Sequence, residues 1–194
     1  MHDLNYKDKY KKEAVPKLKA DFGYKNDLAV PKIEKIVVNV GVGKMGQQTG
    51  FQDKILPEVI KSVANITGQK PQTTAAKKSI SGFKLRQGQV VGIKATLRGK
   101  RMYDFLKKLI TIVFPRVKDF RGVSLENIDK QGNLSVGFKE NVVFPEINAE
   151  TSKADFGVEV TIVSKVKNQK EAVELYKLMG FPFKSEEDSI RKRK

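Results

Sequence analysis

Apolar and polar residues alternate along two segments of the chain, Ile33–Val42 and Val90–Arg98, and this alternation predicts two β-strands. A second strand pair is predicted at 133–139 and 157–166. Apolar residues at helical spacing predict four helices, at 4–22, 51–66, 100–114 and 168–179. Strands and helices that alternate without regular crossover units indicate an α+β fold with an antiparallel sheet.

Prolines and glycines mark the expected ends of these elements. We expect Pro16 to divide or kink the first helix and Gly23 to mark its exit. Gly68 should stop the second helix and Pro115 should close the third. Asn168 is placed to cap the fourth helix with its side chain.

A glycine-rich turn, Gly41–Gly50, follows the first strand and begins with the spacing G-x-G-x-x-G. Dinucleotide sites need the third glycine to open a helix and an acidic residue about 20 residues further on. Here Gly46 leads into more polar loop, and Met45 after Lys44 also breaks the phosphate-loop pattern. We interpret the segment as a turn and keep a nucleotide-dependent enzyme as a rival hypothesis.

Positive charge is concentrated rather than spread along the chain, whose net charge is +16 and whose pI is near 9.9. The 45 residues Val59–Tyr103 contain ten Lys and Arg and no Asp or Glu. Residues 122–190 carry 8 basic and 12 acidic residues, and a basic tail, Arg191–Lys194, follows. A surface of one sign repels itself, so an external polyanion such as a nucleic-acid backbone is the expected partner.

Composition excludes several kinds of chemistry. The chain has no cysteine, which rules out disulfides, thiolate catalysis and cysteine-ligated zinc. Its one histidine, His2, lies at a terminus, and Glu140, Glu146 and Glu150 form no recognisable catalytic or metal-binding spacing. No apolar run reaches the length of about 18 residues needed to span a bilayer. We therefore predict a cytoplasmic, non-enzymatic protein with no cofactor, metal or membrane partner.

The segment from Gln69 to Arg86 carries the strongest functional signal. It lacks apolar periodicity, which predicts a loop, and its cations alternate with small hydroxyl residues suited to phosphate and 2′-OH contacts. Gly82 would let a backbone approach closely, and Phe83 could stack on a base or ribose. The alternative is a flexible basic loop that has no defined ligand.

Several ordered blocks of this sequence resemble a known family. They include VPKIEKIVVNVGVG at 30–43, GQKP at 68–71, AKKSISGFKLR at 76–86, TLRGKRMYDFL at 96–106, FPRVKDFRG at 114–122 and FPEI at 144–147. Together with GN at 132–133 and PF at 182–183, these blocks are similar to the L-five family of bacterial large-subunit ribosomal proteins. The last third departs from the family pattern, for example at Asn148-Ala149 and Phe156-Gly157.

The resemblance implies an antiparallel sheet with helices packed on one face, and a protruding basic loop. It implies a single domain at 1–183, followed by a basic C-terminal tail at 184–194. Its implied function is that of a structural constituent of the large ribosomal subunit that binds 5S rRNA at the central protuberance. The other implied partners are 23S rRNA, the P-site tRNA and a small-subunit head protein across an inter-subunit bridge.

The resemblance also implies which residues contact RNA. The 5S rRNA contacts would be Asn39, Gln69, Lys70, Thr96 and Arg98. The tRNA-contacting loop would use Lys77, Lys78, Ser79, Lys84 and Arg86. The sequence pattern supports part of this assignment, because Asn39 and Thr96 are polar residues inside otherwise apolar strands. The alternative is that both residues lie on an outward strand face that binds no ligand. A nonspecific basic RNA-binding or chaperone protein is the alternative function.

Overall fold

The computed structural model describes residues 5–148 and 154–184, and this part of the chain contains one five-stranded sheet. The strands lie in the order β2-β3-β1-β5-β4. Their bounds are Lys32–Gly41 for β1, Gln72–Ala75 for β2, Val90–Leu97 for β3, Leu134–Phe138 for β4 and Val158–Lys165 for β5. The predicted α+β class with an antiparallel sheet is confirmed. Strand β2 is a correction, because the sequence predicted a loop there.

Four helical segments accompany the sheet. Helix α1 comprises Tyr6–Lys9, Tyr10–Ala14 and Val15–Phe22, and α2 comprises Phe51–Ile55 and Leu56–Thr67. Helix α3 comprises Gly99–Lys108, Leu109–Val113 and Phe114–Arg116, and α4 is Gln169–Met179. Left-handed glycines end α1 at Gly23 and α2 at Gly68, as the sequence predicted.

Three of these helices widen into a π-helical turn directly before a proline. The N–H of the residue that precedes the proline bonds five residues back, from Val15 to Tyr10, for example, ahead of Pro16. The same pattern precedes Pro57 and Pro115. Proline lacks an N–H and crowds the carbonyl four residues earlier, and a wider turn accommodates both defects. The prediction that Pro115 closes α3 is therefore wrong, since the helix continues to Arg116.

The start of α4 differs from its prediction. Asn168 occupies the N-cap position, but its side chain makes no capping hydrogen bond. Instead, the buried Glu171 carboxylate accepts from the Lys167 N–H at 3.0 Å. A carboxylate in the first helical turn thus satisfies a backbone donor at the helix entrance and interacts favourably with the helix dipole.

The chain divides into two compact units. The first comprises 1–36, 98–136 and 161–194, and the second comprises 37–97 and 137–160. In the first unit α1 packs on α3 and α4 around fully buried side chains such as Leu18, Leu109 and Tyr176. In the second unit α2 packs on β3 through an apolar core that includes Val59, Val63 and Ile93. The single domain predicted for 1–183 stays a prediction, and so does the basic tail at 184–194, of which residues 185–194 lie outside the described residues.

No helix within the described ranges is long and apolar enough to cross a membrane. The same ranges contain no group of three or more His, Cys, Asp or Glu side chains placed to hold a metal ion.

Gly132 fixes the junction between β5 and α4 in the first unit. Its carbonyl oxygen lies 2.6 Å from the Ser164 hydroxyl and 2.9 Å from the Tyr176 hydroxyl, and both hydroxyls donate to it. Burial raises the pKa of Tyr176, so this phenol stays protonated and keeps donating. Gly132 has φ +83°, and an added Cβ would overlap the Val166 side chain.

We predict that Gly132→Ala lowers the free energy of unfolding by roughly 3 kcal/mol, because a strained φ and an overpacked core act together. Gly137→Ala is the matched control in β4. It has an ordinary φ and nothing within 4 Å of the added Cβ, so it should be neutral or slightly stabilising. Urea unfolding followed by circular dichroism measures both; equal midpoints for the two variants would contradict this account of Gly132.

Candidate nucleic-acid interface

In the second unit, β1 and β3 present different residues on the two faces of the sheet. Val38 and Val40 of β1 and Ile93 and Leu97 of β3 are buried. Successive side chains point to opposite faces of a strand, so the residues between these positions point the other way. That second face, here called the outer face, carries Asn39, Gly41, Gly92, Lys94 and Thr96 from the two strands.

Around Asn39 the outer face combines neutral groups with the carboxylate of Glu159. The Asn39 side-chain amide donates to the Glu159 carboxylate of β5 at 3.3 Å, and both side chains are exposed. Beside them Gly92 has no side chain, and a Cβ there would lie 3.9 Å from Asn39 Oδ1. The hydrogen bond to Glu159 uses one of the two N–H donors of the Asn39 amide.

A second pair of polar residues, Gln69 and Thr96, lies further along β3. The Gln69 side chain donates to the Thr96 carbonyl oxygen at 3.3 Å. Gln69 is held after α2 because the buried Thr67 hydroxyl lies 2.7 Å from the Val63 carbonyl and 2.9 Å from the Gln69 carbonyl. The structure therefore brings Gln69 and Thr96 of the predicted 5S rRNA site into contact.

The other residues predicted to bind 5S rRNA do not form a single cluster. Gly92, next to Asn39, is four residues from Thr96, which is about 13 Å along a strand. Lys70 is exposed and precedes the buried Pro71, at the entrance to β2. Arg98 is exposed, directly follows β3 and belongs to the first unit.

The predicted loop is largely a β-hairpin. Strand β2 pairs antiparallel with β3, with Gln72 opposite Lys94 and Thr74 opposite Gly92. The pairing continues past a register shift, because the Ala76 N–H donates to the Gln89 carbonyl at 2.8 Å and the Gly88 N–H donates to the Ala76 carbonyl at 3.0 Å. The expectation of an irregular loop from Gln69 to Arg86 is therefore corrected for residues 72–76.

The tip of this hairpin has its own hydrogen bonds. Ile80 and Leu85 exchange two backbone bonds of 2.9 and 3.1 Å around a short 3₁₀ turn at Ser81–Phe83. Lys84 closes the turn in the left-handed conformation, with φ +50°. The Gln87 N–H donates to the Ser79 hydroxyl at 2.9 Å. The residues between Ala76 and Gln89, here called the basic hairpin, thus have a defined backbone.

The side chains of the basic hairpin face solvent. Phe83 is 69% exposed and Ile80 is 48% exposed, unusual values for large apolar residues. The four predicted tRNA-contacting cations are also exposed: Lys77, Lys78, Lys84 and Arg86. Apolar and aromatic groups that lie among cations match the pattern used to stack on bases while neutralising phosphates.

The glycine-rich turn at Gly41–Gly50 contains only a 3₁₀ turn, Met45–Gln47, and α2 begins at Phe51. The third glycine therefore opens no long helix, as the sequence predicted. The turn contacts the basic hairpin instead. The Gln47 side chain donates to the Phe83 carbonyl at 3.0 Å, and the Gln89 side chain donates to the Gly46 carbonyl at 3.0 Å. Sequence reasoning missed Gln47, Gln89 and Glu159, because no local pattern marks a long-range partner.

Comparison with known proteins defines the class of this chain. The large ribosomal subunit protein uL5 of Halothermothrix orenii is 48% identical over 176 residues, 91% of this chain and 96% of the relative. The protein of the same name from Dictyoglomus turgidum is 50% identical over 178 residues, 92% of this chain and 97% of the relative. The chain is a structural constituent of the large ribosomal subunit and not an enzyme.

Two family models identify the particular family. The model described as ribosomal protein L5 matches residues 26–86, and a second model, which describes the C-terminus of the same ribosomal family, matches residues 90–183. The chain therefore belongs to the ribosomal protein L5 family. The predicted resemblance, the ribosomal location, the role in translation and an rRNA partner are confirmed at this level.

Proposed function

We propose that the chain binds 5S rRNA through the outer face of β1 and β3, and that the basic hairpin contacts the P-site tRNA. The observation that carries the proposal is the uncovered outer face of the second unit, where neutral polar groups stand on a paired backbone. In the family context, this binding would help attach the 5S rRNA at the central protuberance.

The outer face suits recognition of a folded RNA. The Asn39 and Gln69 side chains are held by hydrogen bonds to the Glu159 carboxylate and the Thr96 carbonyl, so these two side chains lose less conformational entropy on binding. Neutral donors and acceptors read 2′-OH groups and base edges, while phosphates need cations. Exposed Lys70 and Lys94 of the second unit would supply phosphate contacts beside these groups. The exposed Arg98 of the first unit stays a separate predicted contact.

The basic hairpin suits a second RNA. Its cations and the exposed Phe83 project from a backbone that pairs with itself, so the contacts come from one defined surface. Stacking and phosphate neutralisation together hold an RNA backbone without reading its sequence. A tRNA is used in many sequence forms, and such a contact would serve all of them.

The wider set of partners belongs to the same proposal. We assign 23S rRNA contacts to the basic surfaces outside the outer face, and the bridge to a small-subunit head protein to the net-acidic segment 122–190. The excess of acidic over basic residues in this segment of the sequence disfavours RNA and suits a basic protein partner.

We expect Asn39→Ala and Thr96→Ala each to weaken 5S rRNA binding about three- to tenfold, the effect of losing one or two neutral hydrogen bonds. The salt dependence should not change, because neutral contacts release few counterions. Filter binding from 0.05 to 0.3 M salt measures both quantities.

Thr73→Ala is the matched control for this pair. Thr73 lies opposite Ile93 in the β2–β3 register, on the other face from Thr96, and it is exposed. Its affinity for 5S rRNA should equal that of the unaltered protein. A nonspecific basic protein would instead show no loss in any of the three variants.

Lys77→Ala combined with Lys78→Ala should leave 5S rRNA binding intact and weaken tRNA binding to the P site of assembled ribosomes. Two exposed ion contacts of about 0.2–1 kcal/mol each correspond to about a two- to thirtyfold loss. Lys11→Ala with Lys12→Ala removes the same charge from the exposed side of α1 and serves as the control. Equal losses in both RNA assays would contradict this division of roles.

A further inference from the structure

Two side-chain hydrogen bonds join the glycine-rich turn to the basic hairpin, one at the base of the hairpin and one at its tip. Gln89, at the base of the hairpin, donates to the Gly46 carbonyl at 3.0 Å. Its Oε1 also accepts from the Arg86 N–H at 3.2 Å. Gln47, in the turn, donates to the Phe83 carbonyl at the tip at 3.0 Å. One contact therefore fixes the base of the hairpin and the other fixes the tip.

The absence of a side chain at Gly46 leaves room for the Gln89 amide at the base contact. An ideal Cβ added at Gly46 would lie 2.8 Å from Gln89 Nε2, so the end of the Gln89 side chain would have to move away from its present position. Gly43, at the start of the same turn, differs, because its nearest neighbour would be the Val91 carbonyl at 3.9 Å. Neither glycine has a positive φ. Of these two glycines, only Gly46 lies close enough to Gln89 for an added methyl group to displace its amide.

Apart from its own hydrogen bonds and the β2–β3 pairing at its base, the basic hairpin has few means of holding its position. Its residues 77–84 are all exposed, so no apolar core anchors them. A two-stranded hairpin without a buried face is only marginally ordered in water. Hydrogen bonds from outside the hairpin therefore have a large effect on the fraction of time it spends in one orientation.

We infer that the glycine-rich turn is a brace for the basic hairpin, and that Gln47 and Gln89 are positioning residues that hold the RNA-contacting tip in a binding-competent orientation. The brace deepens the proposed function, since its effect on RNA binding rests on the proposed tRNA contact. It also gives the G-x-G-x-x-G segment a role that needs no nucleotide. A mobile segment binds more weakly because only a fraction of its molecules are in the binding-competent orientation. Holding the hairpin tip in that orientation before RNA binds avoids this loss of affinity.

The test uses three variants that break the brace from different sides: Gln47→Ala, Gln89→Ala and Gly46→Ala. Gln89→Glu is the conservative variant, which keeps the acceptor for the Arg86 N–H and removes the donor to Gly46. Two controls leave the brace intact, Gly43→Ala in the same turn and Gln48→Ala at the next exposed glutamine.

The first readout is amide hydrogen exchange on the free protein, which needs no RNA. The reporters are the hydrogen-bonded amides of Ile80, Phe83, Lys84 and Leu85. Loss of one hydrogen bond should speed their exchange about fivefold in each brace variant. Exchange of the buried amides of β3 should not change. Gln89→Glu removes only the donor to Gly46, whereas Gln89→Ala also removes the acceptor for the Arg86 N–H, so Gln89→Ala should exchange at least as fast as Gln89→Glu. Gly46→Ala, which displaces the Gln89 amide and keeps its acceptor, should not exceed Gln89→Ala.

The second readout is tRNA binding to ribosomes assembled with each variant. The brace variants keep every cation, so we expect a loss of about two- to fivefold with an unchanged salt dependence. The Lys77→Ala, Lys78→Ala double variant should instead reduce the salt dependence. Binding of 5S rRNA by the brace variants should equal that of the controls.

The outcomes separate this inference from the proposed function. Unchanged hairpin exchange in all brace variants would overturn the brace, whatever the tRNA result. Faster exchange with normal tRNA binding would overturn the positioning role, provided that the double lysine variant still binds tRNA weakly. If the double lysine variant also binds tRNA normally, the proposed tRNA contact itself fails. Sensitivity of Gly43→Ala equal to that of Gly46→Ala would contradict the steric account of the turn.

Discussion

The alternation of side chains along β1 and β3 is the constraint on which the RNA-binding account depends. Burial of Val38, Val40, Ile93 and Leu97 on one face fixes the register of these strands, because a slip by one residue would expose the whole apolar set. The same register obliges Asn39 and Thr96 to point outward. Core packing thus positions the proposed binding residues, and the polar outer face needs no interactions of its own to stay in place.

Order in the basic hairpin arises differently. Strand β2 has no large apolar residue, all four of its positions are exposed, and it lies at an end of the strand order. It forms through backbone pairing with β3 and is followed by a tip that pairs with itself. A solvent-facing edge of this kind stays available to a partner while its backbone donors are partly satisfied. The proposed sites therefore combine a surface fixed by a core with a surface fixed by hydrogen bonds.

Sequence patterns predicted most of the fold because apolar periodicity reports directly on burial. Strands β1 and β3 and the glycine stops at Gly23 and Gly68 follow from such local signals. Strand β2 could not be predicted, since Gln72–Ala75 buries nothing and is paired only through its neighbour. The continuation of α3 through Pro115 was also unpredictable, because it depends on a π-helical turn that absorbs the proline.

The proposed RNA-binding site also combines residues that the sequence reveals with residues that only the folded chain reveals. Asn39 and Thr96 stand out in the sequence as polar residues in apolar strands, and the cations stand out by their density. The Glu159 partner of Asn39 is 120 positions away, and the Gln47 partner of the hairpin tip is 36 positions away. No local pattern encodes such contacts, because they arise only once the strands are paired. At the entrance of α4, the capping contact comes from the Glu171 carboxylate to the Lys167 N–H and not from the Asn168 side chain that the sequence predicted.

Competition filter binding tests the central claim most directly. The purified protein would be bound to 5S rRNA at about 0.15 M salt, a near-physiological ionic strength, with excess tRNA or 16S rRNA fragment as competitor. Recognition by a preorganised outer face predicts tight binding that survives the competitor. Binding that any RNA removes equally well would contradict the account and would leave only a basic surface without a preferred ligand.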